Sequence, residues 1–330
     1  MKKRLFLSAL AGMGIAVLLL PQAAAQSFPN KPLTLLVPYP AGGLSDVIAR
    51  KVHTALGKNL GQTVIVENLG GASGSIAANK ALNAPADGYL LFQGSPNELI
   101  LPPLAMSAVK YKAEDFRMVQ MIAVAPMAIL ARKDIPATNP DELIAYATKA
   151  AKDGKPLTYA SVGIGSFYHL LGEELSRKLG VPMTHVPYKG GADALRDLMA
   201  GAVDIFMTPY GAPQVALEKD ARIKILGVLA SERDANLKHV PSVDESRSMK
   251  GFTRNIWTGY FVPANTPEPV VQALHKAVTT TLTDPEVKAG LVALGQGIAT
   301  AYTLDAAAKV YATNISEARA VAKAINLQAQ

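Results

Sequence analysis

The feature that most limits what this chain can fold into is a junction that occurs three times, in which a run typical of a buried strand leads into a glycine-rich turn that opens a helix. The three junctions span residues 37–46, 159–166 and 186–191, and a weaker fourth spans residues 67–74. In parallel α/β sheets such turns lie at the carboxyl ends of the strands, where ligands bind. The repetition therefore predicts an α/β fold with a ligand site assembled from several turns.

Each helix that opens at such a turn offers unpaired backbone N–H groups and about half a positive charge at its N-terminus. Glycine lets the backbone approach a ligand closely, so several helix starts that converge on one crevice would hold a carboxylate without an arginine. The alternative is structural, because tight turns need residues with positive φ, and a single junction is more often explained by that requirement. Asp46 is expected to brace the first turn through Arg50, four residues later, rather than to touch an anion.

The composition is that of a globular protein of about two domains. The chain has 330 residues, of which 49% are hydrophobic and 18% charged, and this balance excludes intrinsic disorder. It has no cysteine, which excludes disulfide scaffolds, thiol catalysis, zinc fingers and iron–sulfur ligation. We therefore expect a large buried core. We also expect neither a cofactor nor a bound metal, because the histidines show no metal-ligand spacing and the sequence contains neither a Walker A motif nor G-x-G-x-x-G.

The N-terminus is typical of a secretory signal peptide. Residues 2–4 are all basic and precede an apolar run at 5–20, and residues 23–25 supply an alanine cleavage site. We predict cleavage after Ala25 and export to the periplasm. The alternative is an uncleaved anchor, which fits less well because the run is shorter than the ~20 residues of a bilayer span. Loss of three basic residues reduces a net charge of +7, so charge gives no argument for nucleic-acid binding.

Short β-rich runs alternate with helical periodicity along the rest of the chain. The apolar stretch at 118–131 predicts two buried strands with a joint at Pro126. The other predicted elements are strands at 33–37, 63–67, 90–93, 157–160, 183–186, 205–207, 223–229 and 257–262, and helices at 44–56 (ended by Gly57), 75–82, 140–151, 167–179, 192–200, 267–282, 285–294 and 304–324.

Sequence signatures of catalysis are nearly absent. The five histidines show no metal-ligand spacing, and the segment around Ser166 reads Gly-Ile-Gly-Ser-Phe instead of the G-x-S-x-G of a nucleophile elbow. His169 follows Ser166 by three residues on one helix face, so an enzyme that uses this pair as nucleophile and base is an alternative hypothesis. A capping or helix-stabilising role for His169 explains the same spacing, and we expect a protein that is not an enzyme.

Several motifs resemble one family of receptors. Residues 40–50, which read Pro-Ala-Gly-Gly-Leu-Ser-Asp-Val-Ile-Ala-Arg, resemble the P-x-G-G-x-x-D-x-x-A-R signature of Bug-type receptors, the periplasmic substrate-binding proteins of tripartite tricarboxylate transporters. Further segments resemble the same family in the same order, at 66–74, 87–89, 111–116, 161–169, 186–190, 197–204 and 257–263. The resemblance covers essentially the whole chain after the signal peptide, while residues 231–255 depart from the family pattern.

The resemblance implies a fold and a site. The fold is α/β, a two-domain periplasmic binding protein of type II-like Venus-flytrap architecture with two crossing hinge strands. Domain 1 would be discontinuous, at 26–123 and 230–330, and domain 2 would span 124–229. In such receptors backbone N–H groups and waters hold a ligand carboxylate at the first glycine loop. Carried over residue by residue, the resemblance nominates as ligand-binding Tyr39, Ala41, Gly42, Gly43, Ser161, Gly165, Ser166, Tyr188 and Asp204, with Ser95 and Asn97 as further candidates.

The resemblance also implies partners. We expect a monomer that captures a small organic carboxylate and delivers it to integral-membrane permease subunits, without nucleic acid. The alternative is that the loaded receptor docks on a sensor protein. The sequence does not rank a monocarboxylate, a linear dicarboxylate and an aromatic acid as ligands.

Overall fold

The computed structural model describes residues 28–235 and 237–324, in which strands and helices alternate as predicted for an α/β fold. The predicted signal peptide and its cleavage site lie outside the described residues. The strands are β1 (Leu33–Val37), β2 (Val64–Asn68), β3 (Leu90–Gly94), β4 (Phe116–Arg132), β5 (Thr158–Ser161), β6 (Thr184–Pro187), β7 (Ile205–Pro209), β8 (Ile223–Val228), β9 (Asn255–Pro263) and β10 (Gly297–Ile298). The helices are α1 (Leu44–Leu60), α2 (Ser75–Asn83), α3 (Pro96–Leu99), α4 (Pro102–Ala105), α5 (Pro140–Lys152), α6 (Phe167–Leu179), α7 (Gly191–Ala200), α8 (Ala212–Lys219), α9 (Glu268–Thr281), α10 (Pro285–Ala293) and α11 (Leu304–Ala324).

Most predicted elements agree with these bounds to within a residue or two, but α1 does not end at Gly57 as predicted. It continues to Leu60 and ends at Gly61, which has φ +67° and whose N–H bonds to carbonyl groups of the last turn. At Gly57 a Cβ atom would lie 2.9 Å from the carbonyl oxygen of Gln62, so glycine there allows a close approach of the backbone.

Helices α3, α4 and α8 were not predicted. Within the described ranges, none of the helices combines the length and the apolar character needed to span a bilayer.

The strand β4 is continuous, so the prediction of two strands with a joint at Pro126 was wrong. Up to Pro126 the strand pairs antiparallel with β9, and from Met127 onward it pairs with β7 and β8. Pro126 is therefore the point at which β4 changes partners, and a strand tolerates a proline where its ladder is interrupted. One long strand runs through both halves of the molecule.

Two sheet segments share β4. In the first, the order is β2-β1-β3-β9-β4, and β1 is parallel to both β2 and β3. In the second, β4 is flanked by β8 and by β7, and β7, β5 and β6 follow as parallel neighbours. We call the two halves of the molecule built on these segments lobe A and lobe B. The glycine turns at the carboxyl ends of the parallel strands lie where the two lobes meet.

Each lobe has its own apolar core. In lobe A one cluster packs α1, α9 and α10 on one face of the sheet, and another packs α2 and α11 around Phe92 and Phe261. The core of lobe B includes Leu237, Val240 and Phe252, which belong to the segment that the sequence places in domain 1. The domain bounds 26–123 with 230–330, and 124–229, stay a prediction. From this packing we propose that the second crossing lies near residue 256.

Candidate functional site

A cavity between the lobes lies at the carboxyl ends of β1, β3 and β7. Its volume is about 140 Å³, close to the ~150 Å³ of a protein cavity that holds benzene. None of the described residues that line it is a lysine, an arginine or a histidine. No cluster of three potential metal-ligating side chains occurs in residues 28–235 and 237–324. The polar and backbone lining comes mainly from Tyr39, Ala41, Gly43, Ser45, Gln93, Ser95, Asn97, Glu98, Gly190, Gly191, Thr208, Thr258 and Gln296.

The first wall of the cavity is the N-terminus of α1, which no side chain caps. Its N-cap is Gly43, so no side-chain oxygen accepts from the first-turn N–H groups. Gly42, at φ +81°, makes the turn and donates its N–H to Asp46 Oδ2 at 2.9 Å. Arg50 Nε donates to the same carboxylate at 3.0 Å, so Asp46 braces the turn as predicted. Burial acts to raise the pKa of Asp46, but the hydrogen bonds from Arg50 and Gly42 outweigh it and lower the pKa.

The N-terminus of α7 faces the same cavity from lobe B. Its N-cap is Gly190, again without a side-chain cap. A Cβ atom on Gly190 would lie 3.1 Å from Pro40 Cδ, so the two turns nearly touch across the cavity. Each helix end carries about half a positive charge. We call the N-termini of α1 and α7 the open helix ends; together they form a site with affinity for a small anion.

Two buried polar atoms in the cavity wall have no hydrogen-bond partner among the described residues. They are Tyr39 Oη and Gln93 Oε1, on side chains that are 8% and 1% exposed. The Gln93 amide is oriented by its Nε2, which donates to the Ser45 carbonyl at 2.7 Å. Burial raises the pKa of Tyr39 well above its usual range, so its hydroxyl is neutral. An unpaired buried polar atom costs about 1–3 kcal/mol, and a bound molecule would remove that cost.

Glu98 is a buried carboxyl in the same wall. It belongs to a capping box, in which Ser95 donates both its N–H and its Oγ–H to Glu98 Oε2 at 2.6 Å. Tyr39, Tyr111 and Tyr168 lie near the carboxyl group. Burial raises the pKa of Glu98 to about 7, although the Ser95 hydrogen bonds act to lower it.

Residues 161–166 form a turn whose polar groups already bond to other groups of the protein. We call it the filled turn. Ser166 is fully buried and caps α6 by accepting the His169 backbone N–H at 3.2 Å. The His169 imidazole instead accepts from the Gly165 N–H at 3.1 Å through Nδ1. Asn97 Oδ1 accepts the Phe167 N–H at 2.6 Å from the other lobe. Ser166 and His169 therefore make the contacts of a helix cap. The Ser166 hydroxyl and the His169 imidazole are not hydrogen-bonded to each other.

Two stacked imidazoles lie behind the filled turn. The rings of His169 and His185 are 3.9 Å apart, and Ser161 Oγ lies 2.6 Å from His185 Nε2. Burial, and secondarily the neighbouring His169, lowers the pKa of His185 to about 4. Burial also lowers the pKa of His169. Both rings are therefore neutral at pH 7, which suits their packing against the turn.

The filled turn is also the place where the lobes touch. Ser73 of lobe A donates its Oγ–H to the Ile164 carbonyl at 2.6 Å. Ser73 holds a left-handed backbone conformation at φ +52°, and Gly163 has φ +132°. A Cβ atom on Gly163 would lie 2.5 Å from Ser73 Oγ, so this contact depends on glycine.

The structure brings five of the nominated ligand-binding residues together in the cavity wall: Tyr39, Ala41, Gly43, Ser95 and Asn97. Gly42 belongs to the same turn and shapes it. Ser161, Gly165 and Ser166 lie in the filled turn, with the protein partners given above.

The last two nominated residues lie away from the cavity lining. Tyr188 follows β6, and its backbone N–H donates to the Ser161 carbonyl at 2.9 Å. Asp204 stands at the opposite end of β7 from the cavity, where it pairs with Arg132 at 2.7 Å and accepts from Thr158. The ligand-binding role of the nominated residues stays a prediction.

Several cavity residues were not found from the sequence. Gln93 is a polar residue near the end of a strand that is otherwise apolar, a signal for a side chain at a strand's carboxyl end. Glu98 completes the pattern Ser-Pro-Asn-Glu, which is a capping-box signature with proline at the first helical position. Thr208, Thr258 and Gln296 reach the cavity through tertiary packing, which leaves no local signal.

Two α/β lobes that share crossing strands and meet at a cavity between helix N-termini are the arrangement of a two-domain periplasmic binding protein. Residues 48–327 match the family described as "Tripartite tricarboxylate transporter family receptor". The chain belongs to this family, and the resemblance read from its motifs is confirmed.

Individual relatives and solved structures support the same family assignment. A UPF0065 protein from the TAR-I ttuE-ttuC' intergenic region of Agrobacterium vitis is 35% identical over 289 residues, which cover 86% of this chain and 82% of the relative. The structure of periplasmic binding protein BugD superposes with a TM-score of 0.84 at 31% identity, covering 92% of this chain and 100% of that one. MatC from Rhodopseudomonas palustris, solved with bound malate, superposes with a TM-score of 0.82 at 31% identity, covering 89% and 99%. The predicted fold class is thereby confirmed, and the family and these neighbours are binding proteins.

Proposed function

We propose that this protein is a periplasmic receptor that captures a small organic carboxylate between its lobes and delivers it to a tripartite tricarboxylate-type permease. Export would depend on the N-terminal signal peptide, with cleavage after Ala25. Family membership supports the partner, and the malate bound to MatC supports the ligand class. The receptor would act as a monomer, with closure over its ligand selecting a closed state that the free protein already samples.

The observation that carries this proposal is the pair of open helix ends at one small cavity, whose lining includes no cationic side chain among the described residues. Oriented N–H groups and helix dipoles bind a carboxylate without the desolvation cost of a buried lysine or arginine. Tyr39 Oη and Gln93 Oε1, for which the described part of the chain supplies no partner, add a donor and an acceptor. A hydroxylated acid such as malate would satisfy both.

We propose that the ligand contacts the turn after β1 and the start of α7. In lobe A the contacts would come from Tyr39, Ala41, Gly43 and Ser95, and in lobe B from the backbone after Gly190. Asn97 would contribute by holding the filled turn of lobe B to lobe A through the Phe167 N–H. The shape of these turns would depend on Gly42, Ser161, Gly165, Ser166 and Tyr188. Asp204, at the far end of β7, would support lobe B through Arg132 and Thr158.

A thermal-shift screen tests the proposal. Purified mature protein is heated with some tens of mono-, di- and tricarboxylates that include malate. A bound acid at 100 times its Kd should add about 2.7 kcal/mol of stability and raise Tm saturably. Calorimetry then gives the affinity, and chromatography shows whether the acid is recovered unchanged.

The outcomes separate the functional classes. A saturable shift with recovery of the unchanged acid supports a receptor, and conversion of the acid supports an enzyme. The delivery step is tested by uptake of the same acid in cells that lack this gene. If no acid in the screen changes Tm, the proposed ligand class is wrong.

A further inference from the structure

A buried carboxyl in the wall of an anion site needs an explanation. Glu98 is 2% exposed and lines the same cavity as the open helix ends. A carboxylate buried without a cation is costly, and a second carboxylate brought into the same cavity would repel it. The capping box alone does not require this position, since the equivalent Glu245 caps residues 243–245 from the surface and pairs with Arg233.

The position of Glu98 is fixed by its neighbours. Both hydrogen bonds from Ser95 end on Oε2, on one side of the carboxyl group. Gly74 packs against the side chain so closely that a Cβ atom there would lie 2.7 Å from Glu98 Cγ. The carboxyl therefore cannot swing away when an anion enters, and it must respond by changing its protonation.

The titratable groups around Glu98 cannot neutralise it. Tyr39 lies after β1, Tyr111 before β4, Tyr168 on α6 and Tyr311 on α11, and burial raises the pKa of each of these phenols. They therefore stay neutral near pH 7. The other carboxylate that lines the cavity, Asp193, forms an ion pair with Arg196 at 2.7 Å.

We propose that Glu98 contacts the captured carboxylate in its protonated form, so that capture of the acid takes up one proton from solvent at Glu98. This inference rests on the proposed function. The neutral carboxylic acid donates a hydrogen bond where an ionised one would repel. This protonation makes Glu98 a specificity-determining residue, because the site then prefers anionic ligands without an ammonium group.

The competing arrangement is an ionised Glu98 that pairs with a ligand ammonium group. Malate and aspartate distinguish the two arrangements, because malate carries a hydroxyl group where aspartate carries an ammonium group. Protonation predicts that malate binds more tightly than aspartate and that its affinity falls as pH rises. An ammonium partner predicts the reverse order of the two acids and an affinity for aspartate that does not fall.

The experiment is calorimetry of malate and aspartate binding at pH 6.5 and 8.5, in two buffers of different ionisation enthalpy. The wild-type protein should take up close to one proton per malate at pH 8.5 and bind it about tenfold or more weakly than at pH 6.5. Glu98→Gln should bind malate with no proton uptake and with an affinity that does not depend on pH in this range. Glu245→Gln, at the exposed capping box, is the matched control and should behave as wild type.

Each contrary result has a separate meaning. If wild type and Glu98→Gln bind malate with the same pH dependence, the inference is wrong while the receptor function stands. Tighter binding of aspartate, with loss of that binding in Glu98→Gln, also overturns it and assigns an ammonium partner. If neither probe nor any acid of the thermal-shift screen binds the wild-type protein, the proposed function fails and this inference fails with it. A folding defect of Glu98→Gln is recognised by its circular dichroism. In that case the proton uptake of the wild-type protein on binding malate at pH 8.5 decides, and the absence of uptake overturns the inference.

Discussion

The open helix ends and the filled turn share one sequence pattern and differ in what occupies them. All three junctions run from a strand through glycine into a helix. Helices α1 and α7 have glycine at the N-cap and no side-chain cap, whereas α6 has Ser166, which bonds to the first turn. The first-turn N–H groups are free to bind a ligand only where the N-cap residue has no side-chain acceptor of its own.

The difference separates ligand binding from lobe contact. The open helix ends meet at the cavity, where Gly190 approaches Pro40. The filled turn bonds to Ser73 of lobe A, and Phe167, the next residue, bonds to Asn97 of lobe A, each at 2.6 Å. Changes at the open ends should therefore alter affinity directly, and changes at the filled turn should alter closure and stability.

The largest effect is expected when an open helix end is capped. Gly43 has φ −77° and ψ 167°, an extended conformation that any residue adopts. In Gly43→Asp the new carboxylate would bond to the first-turn N–H groups that the ligand needs. We expect affinity for the acid to fall by about 100-fold or more, while N-capping changes stability by only about 0.5–2 kcal/mol. Calorimetry and denaturant unfolding measure the two quantities.

Gly43→Ala is the matched control for Gly43→Asp, because it adds a side chain of one carbon without an acceptor. It should lose far less affinity. If Gly43→Asp binds the acid as tightly as Gly43→Ala does, the open end of α1 is not the carboxylate site.

The second effect concerns the lobe contact. In Gly163→Ala, φ +132° strains the residue, and the methyl group meets Ser73 Oγ at 2.5 Å. Strain of about 1–3 kcal/mol in the closed form predicts a loss of affinity on the order of tenfold. Gly154→Ala also places alanine at a positive φ, +73°, but with nothing within 4 Å, and should lose stability but not affinity. Small-angle scattering at an acid concentration near the Kd of wild type should show Gly163→Ala more open than wild type, and equal compactness at that concentration would contradict this explanation.

The fold was largely predictable from the sequence because its signals are local. Asn139 marks the start of α5 by accepting the Glu142 N–H, and Gly180 marks the end of α6 in a left-handed conformation; both are residue types that signal helix ends in a sequence. The continuity of β4 through Pro126 was not predictable. It depends on a change of strand partners, which is a tertiary property.

The site was predictable in part, for a related reason. The turn at Tyr39 and Gly43 was found because glycine spacing is visible in the sequence. Ser166 was nominated by the family resemblance, although its hydroxyl bonds to its own helix. Gln93 and Glu98 were missed because their significance depends on burial and on unpaired atoms, which emerge from packing.

The third prediction uses pH to probe the filled turn. Burial, with the neighbouring His169, lowers the pKa of His185 to about 4, below the ~6.5 of an unfolded histidine. Unfolded chains therefore bind more protons between these values, and stability is lost as pH falls from about 6.5 to 4. His185→Gln should remove about 1–2 kcal/mol of this loss, after allowance for solvent screening. The difference in unfolding free energy between the two proteins should stay constant from pH 7 to 9, and a constant difference down to pH 4 would contradict the assignment.

The smallest effect is expected for Ser166→Ala, and it decides whether the filled turn touches the ligand. The hydroxyl caps α6 at the His169 N–H, so its removal should cost about 1 kcal/mol of stability. Because Ser166 is fully buried and absent from the cavity lining, affinity for the acid should change less than about threefold, or well under 1 kcal/mol. Asn139→Ala removes the cap of α5 far from the cavity and should match it in both measurements. A tenfold loss of affinity in Ser166→Ala, with the stability of Asn139→Ala, would place Ser166 against the ligand and end the distinction between an open and a filled junction.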